Sequence, residues 1–198
     1  MSLEDQHALL MSNIRRHIDP TAEEEAYFLS LLQTAQVKKR RFLLQEGDVC
    51  RHSAFVTNGC LRSYTVDANG FEHILQFAPE NWWIADMYSF ISGQPGQLYI
   101  DALEDTELLL LSKNRQEQLY LEVPKFERFF RIIVENSLVA GRQRILDNMS
   151  QSAAQRYDQF CRQYPSLIHR LPQKQIAAYI GVTPEFLSKL RGEKARRK

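Results

Sequence analysis

The sequence predicts an α+β fold: an N-terminal antiparallel β-roll (a double-stranded β-helix, or jelly roll) with flanking helices, then a long helix and a small C-terminal helical domain. Short β-prone runs alternate with turn residues between residues 37 and 113, which favours an antiparallel sandwich or barrel. A long, strongly apolar helical stretch follows Pro124, and basic residues gather after residue 168. The length of 198 residues allows one large domain or two small ones.

The N-terminal segment, residues 3–35, is predicted to be helical. Apolar residues recur at helical spacing up to Ile18. The run Asp19–Thr21 interrupts this pattern, and its threonine is a suitable N-cap because the side-chain oxygen can accept a backbone N–H. Three glutamates, Glu23–Glu25, are favourably placed in the first turn of a second helix, at the positive end of the helix dipole.

Six β-prone runs are predicted to form the roll. Two of them end at the tight-turn dipeptides Asn58-Gly59 and Asn69-Gly70. The longest apolar run, Leu108–Leu111, is predicted to be a buried strand, because spanning a bilayer takes about 20 residues. The predicted strands are residues 41–44, 54–56, 61–66, 73–77, 98–102 and 107–111.

The predicted helix at residues 124–148 has more apolar side chains than one buried stripe requires. Such a helix can pack on its own domain with one face and on a second copy of the chain with the other, which predicts a homodimer. Burial of the helix within one larger core is the alternative. A boundary at residues 147–151 divides the chain into domains of residues 1–148, including this helix, and 149–198.

Cysteines and histidines give no sign of a disulfide framework or a metal site. Cys50, Cys60 and Cys161 are far apart and form no CxxC pair, and no histidine lies at metal-ligand spacing from another histidine or cysteine. We therefore expect no metal, no cofactor and no catalytic residues, and the chain is interpreted as not being an enzyme. The first five residues lack the regions of a signal peptide, so we expect a cytoplasmic protein with no membrane contact.

Charge is unevenly distributed along the chain. Residues 169–198 contain eight lysines and arginines against two glutamates, a net charge of +6, whereas residues 1–168 carry −5. A basic module attached to an acidic body is typical of proteins that bind a polyanion such as nucleic acid. A solvated charged tail is the alternative that charge alone leaves open.

The segment Gln173–Arg191, QKQIAAYIGVTPEFLSKLR, has the spacing of a helix-turn-helix. Gly181 permits the left-handed backbone that the sharp turn needs, Thr183 is a suitable N-cap, and Pro184 suits the first helical position. In DNA-binding proteins with this motif the second helix enters the major groove. A helical hairpin that binds no DNA is the alternative. The other positions that fit the motif are Ile176, Ala177, Ile180, Val182, Leu187 and Leu190.

The outward face of the second helix is predicted to contact base pairs, and its surroundings are predicted to contact phosphates. Glu185 is expected to accept a hydrogen bond from cytosine N4, although it can also serve the helix dipole, and Lys189 is expected to reach guanine O6 or N7. Pro184 and Ser188 share this face. The expected phosphate contacts are Gln173, Lys174, Thr183 and Arg191, with Lys194, Arg196, Arg197 and Lys198 in the tail.

Taken together, these features resemble the Crp/Fnr superfamily of bacterial regulators over nearly the whole chain. The β-roll glycines of that family match at Gly47 and at Gly59 in FVTNGCLR, and residues 153–191 are similar to the short regulators of this type found in Bacteroidetes. The resemblance implies a β-roll of the cyclic-nucleotide-binding type and a homodimer that binds an inverted-repeat operator in double-stranded DNA. It also implies an affinity switched by an effector, and RNA polymerase as a further partner.

The sequence departs from this family at the phosphate cassette. Members that bind cyclic AMP carry a Gly-Glu-Leu run and, some ten residues later, Arg-Ser or Arg-Thr. Here the aligned residues are Ala85-Asp86-Met87 and Gly96-Gln97, without an arginine. Cyclic AMP is therefore not expected, because a buried phosphate needs a basic partner. The candidate pocket for another small-molecule effector comprises Trp83, Asp86, Met87, Gly96 and Gln97, although aromatic residues are more often core.

A second departure lies at the C-terminus. Only residues 192–198 follow the second helix of the motif, so a β-wing is expected to be shortened or missing, with the basic tail supplying its phosphate contacts. A bound effector is expected to move the hinge at residues 147–151 and thereby change the spacing of the two recognition helices.

The sequence features leave three classes of function to be distinguished. The first is a sequence-specific transcription regulator, and the second is a β-roll enzyme, which would need a His/Glu metal constellation that His52 and His73 do not form. The third is a module that binds a cyclic nucleotide or another small molecule and signals through protein contacts without DNA. A steep salt dependence of DNA binding distinguishes the first class from the others.

Overall fold

A computed structural model of the chain describes residues 1–196. The helices are α1 (Leu3–Ile14), α2 (Ala22–Ser30), α3 (Met87–Ser92), α4 (Lys113–Glu122), α5 (Lys125–Ser150), α6 (Ala153–Gln163), α7 (Gln173–Ile180) and α8 (Pro184–Arg196), with a 3-10 turn at Pro165–Leu167. The strands are β1 (Gln33–Val37), β2 (Phe42–Leu44), β3 (His52–Asn58), β4 (Leu61–Val66), β5 (Glu72–Ala78), β6 (Trp83–Ile84), β7 (Tyr99–Ala102) and β8 (Thr106–Ser112).

The chain divides into two compact units. The first comprises residues 1–64 and 77–136, and the second comprises residues 65–76 together with the chain from residue 137 onwards. Helix α5 contributes its first half to one unit and its second half to the other. The domain boundary at residues 147–151 stays a prediction.

The strands form two four-stranded sheets, in the orders β1-β8-β3-β6 and β2-β7-β4-β5. The pairs of β8 with β1 and β3, of β3 with β6, and of β7 with β2 and β4 are all antiparallel. The predicted α+β class with an antiparallel β-roll, a long helix and C-terminal helices is therefore confirmed.

Strands β3 and β8 are buried on both faces, which explains the continuous apolar runs Ala54–Val56 and Leu108–Leu111 within them. Phe55 and Leu109 point to a cluster formed with the helices, whereas Ala54, Val56 and Leu108 point to the interior of the roll. This alternation follows from the two-residue period of a strand. The helix side of the cluster contains Leu10, Ile14, Phe28, Leu119, Phe126 and Phe129.

The second unit contains the C-terminal helices, which pack around an aromatic core. The rings of Phe160, Tyr164 and Tyr179 lie within 5.5–5.6 Å of one another, centroid to centroid. Ile176, Ala177, Ile180 and Leu187 are also buried, as the apolar spacing of the helix-turn-helix predicted. Leu190 and Val182 are half-buried.

The prediction of helix over residues 3–35 was wrong at its end, because Gln33–Val37 is strand β1. This strand pairs with β8 at the edge of the first sheet, from Gln33 opposite Leu110 to Val37 opposite Thr106. Its sequence, QTAQV, has only Val37 buried, so it carries little hydrophobic alternation and its conformation comes from pairing. The short elements β6, α3 and α4 were also not predicted.

Candidate functional site

The segment predicted to be a helix-turn-helix consists of α7, a turn and α8. Gly181 adopts a φ of 71° and its N–H donates to the carbonyl of Ala177, which ends α7 in the left-handed conformation that glycine favours. The N–H of Val182 donates to the same carbonyl at 3.0 Å. Thr183 Oγ1 then accepts the N–H of Phe186 at 3.3 Å, so the threonine caps α8 as the sequence predicted.

Two arginines that were not predicted as functional residues donate to carbonyls at the C-terminal end of α7. Arg156 Nε donates to the carbonyl of Ile180 at 2.9 Å, and Arg144 Nη2 donates to that of Tyr179 at 2.9 Å. The Arg144 guanidinium also lies 4.0 Å from the centre of the Tyr179 ring and donates to two carbonyls of β5. Burial lowers the pKa of Arg144 from its ordinary value. Both cations oppose the negative end of the α7 dipole.

The start of α8 presents a polar, solvent-exposed face. Pro184, Glu185, Ser188 and Lys189 are all exposed, while Leu187 on the opposite face is fully buried. Of the predicted phosphate contacts, Gln173, Lys174 and Thr183 are exposed and Arg191 is half-buried. In the part of the chain that the structure describes, Lys174 and Lys189 form no ion pair, so both ammonium groups are free to meet a ligand.

Three other observations concern the same helix. Lys194, a predicted phosphate contact, forms an ion pair with Asp158 inside the unit. Arg197 and Lys198 lie outside the described residues, and so does the side chain of Arg196. Phe186, which the sequence did not suggest as a contact, is half exposed on α8 among the predicted base-reading residues. An apolar ring in that position suits contact with a thymine methyl group.

The second half of α5 carries large apolar side chains on its surface. Leu138, Ile145 and Met149 have exposed fractions of 63%, 62% and 81%, whereas Phe126 and Phe129 in the first half are fully buried. Val134, Val139 and Leu146 are exposed as well. The excess of apolar residues noted in the sequence therefore consists of two regions along the helix, one inside a core and one on the surface.

The Asp86 carboxylate lies at the centre of the region aligned with the phosphate cassette. It is 2% exposed. Its Oδ1 accepts the N–H of Ser89 at 3.1 Å, which caps α3. Its Oδ2 accepts the N–H groups of Gln97 and Leu98 at 3.0 and 3.2 Å. Three backbone donors thus converge on one internal anion, an arrangement that resembles an anion-binding nest.

The loops around Asp86 are joined to one another by further hydrogen bonds. Gly96 exchanges two of them, donating its N–H to Asp48 and accepting that of Gly47. The hydroxyl of Ser89, fully buried, accepts the N–H of Cys50 at 2.8 Å and donates to the carbonyl of Gln94 at 2.6 Å. Burial raises the pKa of the Cys50 thiol, which keeps that neighbour neutral.

Only a glycine fits at position 96. A β-carbon there would lie 2.6 Å from Asp86 Oδ2 and 3.3 Å from the carbonyl oxygen of Asp48. Gly96 therefore allows the Asp86 carboxylate to reach the amides of Gln97 and Leu98.

The five residues of the predicted effector pocket divide between two places. Asp86, Gly96 and Gln97 come together, with Met87 next to them at the start of α3. Trp83 instead packs against Phe55 and Phe130, with ring centroids 5.2 and 5.4 Å apart, in the cluster between sheet and helices. Two surface hollows of about 200 Å³ lie elsewhere, one beside Glu107 and one beside Asp158.

A buried ion pair inside the second sheet was not anticipated. Arg62 on β4 and Asp101 on β7 face each other and form two hydrogen bonds of 2.7 and 2.9 Å. The Arg62 guanidinium lies 4.1 Å from the centre of the Tyr64 ring. The sequence feature that could have predicted this ion pair is the presence of one charged residue in each of two predicted strands.

The described residues, 1–196, contain no candidate metal site. No three of their histidine, cysteine, aspartate or glutamate side chains are grouped so that they could hold a metal ion. No helix in the same range is both long and apolar enough to span a bilayer.

Comparisons with known proteins agree with this architecture. Residues 34–122 match the cyclic nucleotide-binding domain family. Among solved structures, the c-di-GMP responsive regulator CLP of Xanthomonas campestris aligns with a TM-score of 0.71 at 14% identity, over 89% of this chain and 93% of that one. FixK2 of Bradyrhizobium japonicum aligns with a TM-score of 0.72 at 18% identity, over 84% and 85% of the two chains.

A Crp/Fnr family transcriptional regulator from Thermus thermophilus aligns with a TM-score of 0.62 at 18% identity, over 83% of this chain and 87% of that one. No curated protein matches the sequence. Residues 34–122 thus form a β-roll of the cyclic nucleotide-binding type, and the chain shares the fold of these solved regulators. The resemblance predicted from the sequence is confirmed for the fold.

The residues of the cassette do not fit the cyclic nucleotide that the domain family implies. The Asp86 carboxylate accepts the backbone N–H groups of Gln97 and Leu98. Both residues lie in the segment that corresponds to the phosphate cassette of the family. In the described part of the chain, the Asp86 side chain bonds to backbone N–H groups, and no lysine or arginine side chain bonds to it.

Proposed function

We propose that the chain is a sequence-specific, DNA-binding transcription regulator that acts as a homodimer in the bacterial cytoplasm. The observation that carries this proposal is the exposed N-terminal face of α8, which projects from a closed helix-turn-helix core with an unpaired Lys189. Helix-turn-helix proteins place this part of the second helix against base edges in the major groove.

The dimensions and chemistry of α8 suit a major groove. Its 13 residues correspond to about 20 Å of helix, and the first two turns are exposed on the side opposite Leu187. Lys189 is proposed to donate to guanine O6 or N7, and Glu185 to accept from cytosine N4. Gln173, Lys174, Thr183 and Arg191 are proposed to hold the flanking phosphates.

The exposed half of α5 supports the homodimer. Val134, Leu138, Gly141 and Ile145 follow one another at spacings of four, three and four residues, which places them on one side of the helix. Gly141 has open space around its α-carbon, so a second helix can approach closely there. A two-fold pair of such helices places two recognition helices about 34 Å apart, one turn of DNA, on an inverted repeat.

The dimer has its own test. Leu138→Asp places a charge on the proposed helix–helix interface and should convert the dimer to a monomer in sedimentation equilibrium at ~10 µM, because the buried charge has no partner. Leu121→Asp is the matched control, since Leu121 is 84% exposed and belongs to α4, not to the proposed interface helix. A wild-type chain that sediments as a monomer contradicts the homodimer.

DNA binding is tested by selecting random duplexes with the wild type, Lys189→Ala and Lys39→Ala. The wild type should enrich an inverted repeat. Lys189→Ala should relax the preference at one position of each half-site by about 1–3 kcal/mol, the value of a specific base contact. The charge-matched control is Lys39→Ala, because Lys39 is also exposed and lies between β1 and β2 of the β-roll. This variant should leave the sequence preference unchanged.

Salt dependence separates base contacts from phosphate contacts. Lys174→Ala should weaken all sequences alike and reduce the slope of log K against log salt by about 1. Binding without any enriched sequence, or equal losses for Lys189→Ala and Lys39→Ala, would overturn the proposal.

A further inference from the structure

We propose that Asp86 is a built-in anion that closes the β-roll to anionic ligands, so that this chain does not bind cyclic nucleotides. This inference does not depend on DNA binding. It assigns a role to Asp86, Gly96 and the loop that follows: they replace an external ligand with a side chain of the protein.

The first step of the argument is the use of the backbone donors. Successive N–H groups, those of Gln97 and Leu98, point at one oxygen of Asp86, and the N–H of Ser89 points at the other. A phosphate that entered this nest would need the same donors, because a buried anion is stable only when hydrogen-bonded. The nest is therefore already filled.

The second step is that the carboxylate is locked in place. Asp86 is 2% exposed, and Gly96 leaves just enough room for its Oδ2. The surrounding loops are tied together by Gly96 with Asp48, by Gly47 with Gly96, and by the Ser89 hydroxyl with both Cys50 and Gln94. Rotation of the Asp86 side chain would leave the buried N–H of Ser89 and the partly buried N–H groups of Gln97 and Leu98 without this acceptor, which is costly.

The third step concerns charge. In the described part of the chain the groups that contact the Asp86 side chain are backbone amides, and the nearby Cys50 thiol is kept neutral by burial. A phosphate group placed here would meet a second anion, the Asp86 carboxylate, to which no lysine or arginine of the described residues bonds. Electrostatic repulsion in a buried setting therefore adds to the loss of donors.

The interior of the roll behind Asp86 is filled as well. Ile84, Phe90 and Ile100 are at most 4% exposed and belong to one continuous apolar cluster with Val56, Leu61 and Leu108. Such a core already has the close packing that a ligand would otherwise supply.

The direct test is a titration of the full-length wild type with cyclic AMP, cyclic GMP and inorganic phosphate, followed by two-dimensional NMR and by thermal unfolding. At ~1 mM ligand the wild type should shift its melting temperature by less than about 1 °C, as expected when the ligand concentration is below its Kd. The amide protons of Gln97 and Leu98 should exchange slowly with solvent. Saturable binding of either cyclic nucleotide by the wild type would falsify the inference.

Asp86→Ala and a matched control show whether Asp86 is the reason. Asp86→Ala removes the carboxylate, so ~10 mM formate, a carboxylate small enough for the space left, should raise its melting temperature more than that of the wild type, because formate can accept the freed N–H groups. Asp48→Ala, which removes an exposed carboxylate from the adjoining loop, is the matched control and should respond like the wild type. A folded Asp86→Ala that gains no response to formate also contradicts the proposal.

Should Asp86→Ala not fold, Asp86→Asn provides the readout. It keeps the side-chain shape but replaces one of the two acceptor oxygens by an NH₂ donor, so amide exchange should accelerate about tenfold or more either at Ser89 or at Gln97 and Leu98, whichever faces the NH₂ group. Unchanged exchange at all three amides would show that the carboxylate does not hold them.

Discussion

The phosphate-cassette region and the helix-turn-helix use the same local device in opposite ways. In each, an oxygen-bearing residue caps a helix: Asp86 caps α3 and Thr183 caps α8. In the cassette every acceptor of the cap is used inside the protein, at 2% exposure. In the helix-turn-helix the cap is at the surface, and the next turns expose Glu185 and Lys189 to solvent. The comparison indicates that a polar side chain can bind an external ligand only where its hydrogen-bond donors and acceptors are not already used inside the protein.

The largest expected effect on stability follows from removing the internal anion. Asp86→Ala leaves one buried and two partly buried N–H groups without their acceptor and should lower the free energy of unfolding by about 3 kcal/mol. Both tryptophans of the chain, Trp82 and Trp83, lie in the β-roll, so urea unfolding followed by tryptophan fluorescence reports on this region. Asp48→Ala should lower the free energy of unfolding much less. Equal losses in the two variants would show that the hydrogen bonds of Asp86 do not have a special role in stability.

A somewhat smaller loss is expected for Gly96→Ala, at about 2 kcal/mol, because the added methyl group meets Asp86 Oδ2. The double variant Asp86→Ala/Gly96→Ala separates this cause from others. If the contact with Asp86 is responsible, the Gly96→Ala penalty should fall by more than half in that background. Additive losses in the double-mutant cycle would instead point to the carbonyl of Asp48.

Thr183→Ala should destabilise the second unit by about 1 kcal/mol, the usual value of an N-cap. Hydrogen exchange at the Phe186 amide, which donates to the threonine, is the site-specific measurement. Ser188→Ala on the exposed face of the same helix is the control, with a change within about 0.5 kcal/mol. Equal exchange rates in the two variants would show that Thr183 does not cap the helix in solution.

The smallest effect on stability belongs to Lys189→Ala, at less than about 0.5 kcal/mol in urea unfolding, because the side chain is exposed and unpaired. A large effect on DNA selectivity without loss of stability is the signature of a binding residue. A clear loss of stability in Lys189→Ala would show that Lys189, like Asp86, stabilises the fold.

The sequence predicted the repeating elements well, and the reason is local. The six predicted strands correspond to β2, β3, β4, β5, β7 and β8 within a few residues, because each carries alternating or fully apolar residues between turn signals. The helix-turn-helix was also accessible, since Gly181 and Thr183 act on their immediate neighbours. Strand β1 was missed because its conformation depends on β8, whose paired residues lie 69 to 77 positions away along the chain.

The candidate pocket was only partly predictable for the same reason. The sequence grouped Trp83 with Asp86 by proximity, but strand geometry turns Trp83 toward Phe55 and the helices, away from Asp86. Neighbours along a chain often face opposite directions, and a cluster of polar and aromatic letters does not reveal which ones converge. The pair of Arg62 and Asp101 escaped notice because its partners lie 39 residues apart.

By itself the sequence determined the element types, the helix-turn-helix, the basic C-terminal segment and the missing phosphate-binding arginine. These properties depend on composition, periodicity and local backbone preference, which act over a few residues. Only the tertiary structure decided that Asp86 meets amides 11 and 12 residues away, and that Arg144 reaches a carbonyl 35 residues away. Such contacts arise because burial requires every backbone donor and acceptor to find a partner, and that partner is supplied by the fold.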